Sequence, residues 1–194
     1  MKKKLIEFFL ILIIFNLLFF YFFKNSIIQV LNSQNIYNVN NGKYCIEKLN
    51  PKSEKELVKD ANICIKKERN NGETGDMFIL RNYDKKIVWD ASQDCKLPGN
   101  KSYLVKGKIC SLFYSPKSCE IASHKITSEK NGFSSWKFNS NPEFDYFDAI
   151  KIGKTTYKIV SGGQYSELLD KFRSVYILFF ILDFIVLILI FLNF

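Results

Sequence analysis

Two long apolar runs, one at each end of the chain, constrain the fold more than any other feature. From Leu5 to Phe23 the sequence reads LIEFFLILIIFNLLFFYFF, about 19 residues in which only Glu7 and Asn16 are clearly polar, against the roughly 20 that cross a hydrocarbon core. From Val175 to Phe194 it reads VYILFFILDFIVLILIFLNF, a run of similar length with Asp183 as its single charged side chain. Hydrocarbon offers no water to backbone amides, so both runs are expected to be spanning helices. The expected organisation is a cytoplasmic head at 1–4, a first span at 5–23, an extracytoplasmic domain at 24–174 and a second span at 175–194.

Lys2, Lys3 and Lys4 have the form of a signal-peptide head, but the run closes on Phe22, Phe23 and Lys24 with no small-x-small cleavage site, which favours an uncleaved anchor. The same lysines place the N-terminus on the cytoplasmic side of the inner (plasma) membrane, and a second span returns the C-terminus to that side. Lys171 and Arg173, just before the second span, pull weakly the other way. This topology expects no output domain within the chain, so any signal leaves through the membrane helices.

The net charge of +9 does not point to nucleic acid, because the basic residues are spread along the outer segment with no Arg-rich run, and only Arg69, Arg81 and Arg173 among the 28 are arginines. The abundance of Lys, Asn, Ile and Phe is what codon bias in an AT-rich genome writes. A basic exterior still leans toward anionic ligands. All 5 cysteines, Cys45, Cys64, Cys95, Cys110 and Cys119, fall in the outer segment, where disulfides persist. One or two bridges are expected, with a thiol left over: Cys45 with Cys64 if two helices bring them together, and Cys95 with Cys110 or Cys119. No Cys-x-x-Cys pair occurs and His124 is the sole histidine, so no metal site is expected. Without a Gly-x-Ser-x-Gly elbow or a phosphate-binding Gly loop there is no coherent catalytic set, and neither an enzyme nor a cofactor is expected.

After the first span, Ile27, Ile28, Val30, Leu31, Ile36, Tyr37 and Val39 keep helical spacing, which extends the helix outward to a break expected near Asn40, Asn41 and Gly42. Asn50-Pro51 reads as the cap and first residue of a second helix carrying Leu57, Ala61, Cys64 and Ile65 toward Gly72. MFILRN (77–82) and IVWDAS (87–92) flank a polar turn and read as a hairpin. Strands are expected at YLVKGKI (103–109), SSWKF (134–138), FDYFDAIKI (144–152) and TTYKIV (155–160), with a short helix from Ser115-Pro116 through His124. The class is α+β with an antiparallel sheet. Tyr165, Leu168, Leu169 and Phe172 then form an amphipathic helix expected to run unbroken into the second span.

The block GDMFILRNYDKKIVWDASQDC (75–95), followed by SWKF, YFDAIKI and YKIVSGGQYSELLDKF (157–172), resembles the Cache-type, PAS-like sensor domains held between two membrane helices of bacterial receptors. The resemblance implies a long N-terminal helix before a central antiparallel sheet, whose last strand ends in a Gly-x-Tyr-like turn at Gly162, Gly163 and Tyr165. The arginine, tyrosine and aspartate pattern of amino-acid-binding members is not evident, and the usual output region is missing.

Small-ligand sites combine apolar walls with a few convergent polar groups. The residues that fit this description are Trp89 and Asp90 at the hairpin end, Tyr103, Trp136 and Lys137, and Tyr146 and Asp148. Alternation along 144–152 puts Phe144, Tyr146, Asp148 and Ile150 on one face. The expected ligand is a small anion or polar metabolite, and the plainer role of the same residues is core packing. Asp183, costing roughly 2.5–3.5 kcal/mol at mid-membrane, is expected to meet a partner helix or a second copy. The resulting expectation is a sensor or ligand-binding module that signals through its helices to a second copy or a separate signalling protein. The rivals are a two-span assembly protein whose outer domain binds another envelope protein, and a truncated receptor.

Overall fold

The computed structural model describes residues 2–65, 76–91, 116–138 and 141–193. In chain order these form α1 (Lys2–Leu49), α2 (Glu54–Cys64), β1 (Asp76–Arg81), β2 (Lys86–Asp90), α3 (Pro116–Ser128), β3 (Asn131–Phe138), β4 (Asn141–Ile152), β5 (Thr155–Gln164), α4 (Tyr165–Lys171) and α5 (Arg173–Asn193). The strands make one antiparallel sheet in the order β2-β1-β5-β4-β3. The fold is α+β, with a long helix leading into the sheet. The strand expected at 103–109 lies outside the described residues.

Helix α1 runs 48 residues, about 72 Å at 1.5 Å per residue. Among the described residues it is the helix long and apolar enough to cross a membrane, and its first half leaves Phe9, Leu10, Ile13, Leu17 and Phe22 exposed. Farther along, Ile27, Leu31, Asn35, Val39, Gly42 and Ile46 recur at helical spacing and are buried. The break expected at 40–42 does not occur. Gly42 instead lets α1 approach the end of α2, since a Cβ there would lie 3.3 Å from Ile65 Cγ1 and 3.6 Å from Met77 Cε.

The helix stops at Leu49, and Asn50 takes a left-handed conformation (φ 55°) while its N–H donates to Ile46 O at 3.1 Å. Asn50 therefore closes α1 rather than opening α2, which corrects the sequence expectation. The cap of α2 is Ser53, whose Oγ accepts from Glu56 N at 3.3 Å, while the Glu56 carboxylate accepts from Lys52 N at 2.6 Å. That reciprocal Ser-x-x-Glu arrangement is stronger than an Asn-Pro signal because it satisfies donors on both sides of the helix start. Cys45 and Cys64 are bridged, with Cα atoms 5.7 Å apart, and staple α1 to the far end of α2. Cys95 and Cys110 lie outside the described residues, and Cys119 falls within α3.

Strand alternation divides the sheet into two faces. Ile79, Trp89, Ile150, Ile152, Tyr157 and Ile159 point toward α1 and α2, where Val39, Ile46, Leu57, Ala61 and Ile65 complete a core. On the opposite face Leu80, Ile87, Trp136, Phe147 and Val160 pack with Ala122 and Ile126 of α3. A third cluster gathers Ile27, Leu31 and Leu168 with Phe23, Phe144 and Phe172, where the sheet meets the apolar helices.

Two expectations about the exit from the sheet are corrected. Gly162 and Gly163 do not form a turn; they are paired within β5, opposite Asp145 and Phe144, and helix begins at Tyr165. Their bareness serves close approach from both sides. The helix after the sheet is also not continuous: Phe172 leaves helical geometry (φ −96°, ψ 9°) and separates α4 from α5. Its ring packs across Phe23 at 6.1 Å, so tertiary packing at the sheet's end wins over local helix continuity. Beyond this joint α5 packs antiparallel to α1, with Phe23 and Tyr176 at 4.5 Å and Phe19 stacked on Phe179 at 3.7 Å.

Candidate functional site

Polar side chains line both faces of the sheet, and they do different work on each. Between α1 and the sheet, Asn35 is 3% exposed and its Nδ2 donates to Phe144 O at 2.8 Å. Ser161 Oγ donates to Asn35 Oδ1 at 3.0 Å, and Asn38 Nδ2 reaches Ser161 Oγ at 3.4 Å. One turn farther, Lys43 Nζ meets Asp148 Oδ2 at 2.6 Å. Buried amides of this kind are stable only in register, because a slip of α1 would leave donors and acceptors unmade at about 1–3 kcal/mol each. The seam thus keys α1 to β4 and β5 in one position. Near it the Tyr146 hydroxyl is pushed above its usual range, first by burial and then by the Asp148 charge.

The opposite face carries a buried acidic patch. Asp145 is 1% exposed and Glu143 5%, adjacent same-face positions of β4. Ser134 Oγ donates to Asp145 Oδ2 at 3.2 Å, and Trp136 sits directly across from Glu143 in the β3–β4 register. Gly162, across from Asp145 on β5, has no room for a side chain: a Cβ would clash outright with Asp145 Oδ1 and lie 2.9 Å from Glu143 Oε1. Farther along this face Lys158, 2% exposed, donates to the carbonyls of Glu129 and Lys130 and lies 5.6 Å from the Phe147 ring centre. Desolvation lowers its ammonium pKa, with Asp148 and Glu129 opposing. Its bonds are to the turn after α3, so it fastens that helix's C-terminal end.

The residues singled out in the sequence separate across these faces. Phe144, Tyr146, Asp148 and Ile150 do share a face, but it lies against α1, and Asp148 is occupied by Lys43. Trp89 is core beneath α2, its Nε1 donating to Asn62 Oδ1 at 2.9 Å. Lys137 is exposed on that same face of β3, which α1 leaves open. Trp136 belongs to the opposite face, beside the acidic patch. Asp90 shares that face through its pairing with Phe78, but β1 and β5 separate its strand from β4, about 14 Å at the usual interstrand spacing. Tyr103 lies outside the described residues. The six described residues are therefore not one constellation, and the sequence reading missed Ser134, Glu143, Asp145 and Asn35. The signal for the acidic pair was present in Glu143-x-Asp145 facing a glycine in the neighbouring strand.

A second polar group ties α2 to the hairpin. Arg81 donates to Glu54 Oε2 at 2.8 Å and to both oxygens of Asp84, and Tyr157 Oη donates to Glu54 at 3.0 Å. Burial, reinforced by the Glu54 bond and charge, pushes the Tyr157 hydroxyl up to about 12. Among the described residues no group of three or more His, Cys, Asp or Glu is placed to hold a metal ion.

No family model matches the chain, and no curated protein matches it. Among solved structures it is similar to an extracellular ligand-binding receptor from Desulfohalobium retbaense, at 10% identity and a TM-score of 0.29, over 56% of this chain and 14% of that one. It is also similar to the ligand-binding domain of the Pseudomonas aeruginosa amino acid chemoreceptor PctB in complex with L-Arg, at 19% identity and a TM-score of 0.33, over 63% of this chain and 41% of that one. The chain thus spans less than half the length of either protein.

Proposed function

We propose that the chain is a membrane-anchored extracytoplasmic sensor in which α1 and α5 are both spans and the sheet binds a small polar molecule on the face opposite α1. One observation carries this reading: the pair Gly162-Gly163 joins the acidic patch to the α1 seam. Asp145 presses on Gly162 from one face, while Leu31 of α1 lies against Gly163 from the other, 3.1 Å from where a Cβ would stand. Phe144, paired with Gly163, gives its carbonyl to Asn35. A ligand that shifts Asp145 would displace the backbone to which α1 is keyed. The 48-residue α1 would carry that displacement into the membrane. The carboxylates of the patch favour a ligand with a cationic or hydrogen-bond-donating group over the anion suggested by the net charge.

The test uses the full chain in lipid nanodiscs, melted against a panel of amino acids, amines and organic acids. At least one compound is expected to raise the melting temperature of the wild type and to have no effect on Asp145→Asn. Asn35→Ala is expected to keep the stabilisation but lose any ligand-dependent change in the distance between spin labels on α1 and α5. A panel without effect on either property sinks the sensor reading. It would favour the assembly reading, for which Val30, Tyr37 and Tyr44 offer an apolar stripe at seven-residue spacing on the exposed side of α1.

A further inference from the structure

Asp183 sits in α5 on the stripe that faces α1, with Tyr176, Phe179 and Leu187, and it is half-buried among exposed apolar neighbours. Measured from the Phe19–Phe179 stack, Asn16 lies about one turn deeper on α1 and Asp183 about one turn deeper on α5, about 4.5 Å along the first axis and about 6 Å along the second. The two polar side chains of the hairpin interior thus fall at one depth. Asn16 spends its Nδ2 on its own helix, donating to Leu12 O at 2.9 Å. Among the described residues Asp183 makes no hydrogen bond or ion pair.

From these observations, and resting on the reading of α5 as a span, we infer that the groove between α1 and α5 receives a transmembrane helix of another protein that carries a lysine or arginine at the depth of Asp183. Charge decides the occupant. A carboxylate in hydrocarbon is stabilised by a cation or by sharing a proton. This chain has no basic residue between Leu5 and Phe23 or between Val175 and Phe194, so a second copy brings no cation to that depth. Asp183 also points to the α1 seam rather than to the outer side of α5, so an α5–α5 pairing through that outer side would not reach it. A third helix laid in the groove does, and Asn16 Oδ1 is then available to accept a second bond from the same cationic head.

The test reconstitutes the full chain in phosphatidylcholine vesicles with labelled polyleucine helices that carry Lys, Leu or Asp at the centre, and reads association by energy transfer. The Lys helix is expected to associate about tenfold more tightly than the other two, equivalent to about 1.4 kcal/mol. Asp183→Asn should remove the difference, and Asp183→Lys should shift the preference to the Asp helix. A tag placed after Phe194 and probed with external protease reports whether α5 spans. A protected tag with no preference for the Lys helix overturns the pairing alone, and so does equal binding of the Asp helix. A digested tag overturns the span and the pairing together.

Discussion

Replacing Gly162 by alanine probes the contact on which the proposed coupling depends. The new methyl would overlap Asp145 Oδ1, lie 2.9 Å from Glu143 Oε1 and 3.3 Å from Asp145 Cγ. Both carboxylates are buried, and Asp145 holds the Ser134 hydroxyl at 3.2 Å, so moving either one disturbs a packed or hydrogen-bonded group. Overpacking a filled interior costs about 1–3 kcal/mol. Loss of glycine's freedom in the unfolded chain returns about 0.4–1 kcal/mol. The balance is a destabilisation of about 1–2 kcal/mol, or a fall of roughly 3–8 °C in melting temperature for a domain of this size.

Gly163→Ala supplies the comparison, because its nearest neighbour is Leu31 Cδ2 at 3.1 Å, the end of a side chain that can rotate. It should cost less than half as much. Thermal unfolding of the full chain in detergent, followed by circular dichroism, measures both. The cause is isolated by adding Asp145→Ser to Gly162→Ala, which should recover at least about 1 kcal/mol relative to the sum of the single changes. A Gly162→Ala protein that melts at or above the wild type would refute the crowding argument, as would strict additivity with Asp145→Ser.

Two further outcomes follow from the α2 attachments. Removing the Cys45–Cys64 bridge with the Cys45→Ala/Cys64→Ala pair opens a loop closed over a sequence separation of 19, worth about 3 kcal/mol in chain entropy, so the melting temperature should fall clearly; an unchanged value would mean the bridge adds nothing. Tyr157 titrates at about 12 in the folded protein against an ordinary 10.0, so the unfolded chain loses its proton first. The stability from this group is therefore complete below pH 10 and declines between pH 10 and 12. Tyr157→Phe should flatten that part of the pH–stability curve, and an equally steep decline would show that other groups set it.

The elements that were legible from sequence are those whose local signals agree with their packing. The hairpin, the α3 helix and the long β4–β5 pair follow period-2 alternation or a helix start that tertiary structure does not overrule. Failures came where a residue serves a neighbour distant in the chain. Gly42, Gly162 and Gly163 read as breakers, yet each is glycine because Ile65, Asp145 or Leu31 comes close. Phe172 reads as one more apolar position in a helix, yet it breaks the helix to pack on Phe23. On β4 the grouping of Phe144, Tyr146, Asp148 and Ile150 on one face was legible, but the side that α1 covers was not. Alternation groups Tyr146 with Asp148 but is silent about which side α1 covers, and only Lys43 and Asn35 arriving from about 100 residues away decide it.

These misread positions also differ in continuity. Helix α1 runs without interruption from its apolar first half to the sheet, where Asn35, Asn38 and Lys43 hold it in register. Helix α5 reaches the sheet through the break at Phe172 and packs on α1 through Phe19 and Phe179. On the proposed sensor reading, a shift at Asp145 would reach α1 through a continuous helix and α5 only across that break, and so would move one relative to the other. The relative motion would be felt along their shared seam, and the polar pair Asn16 and Asp183 lies on it. In this scheme the groove proposed to receive a basic partner helix would also change shape when the sheet does, so binding outside and pairing within the membrane would be linked reciprocally.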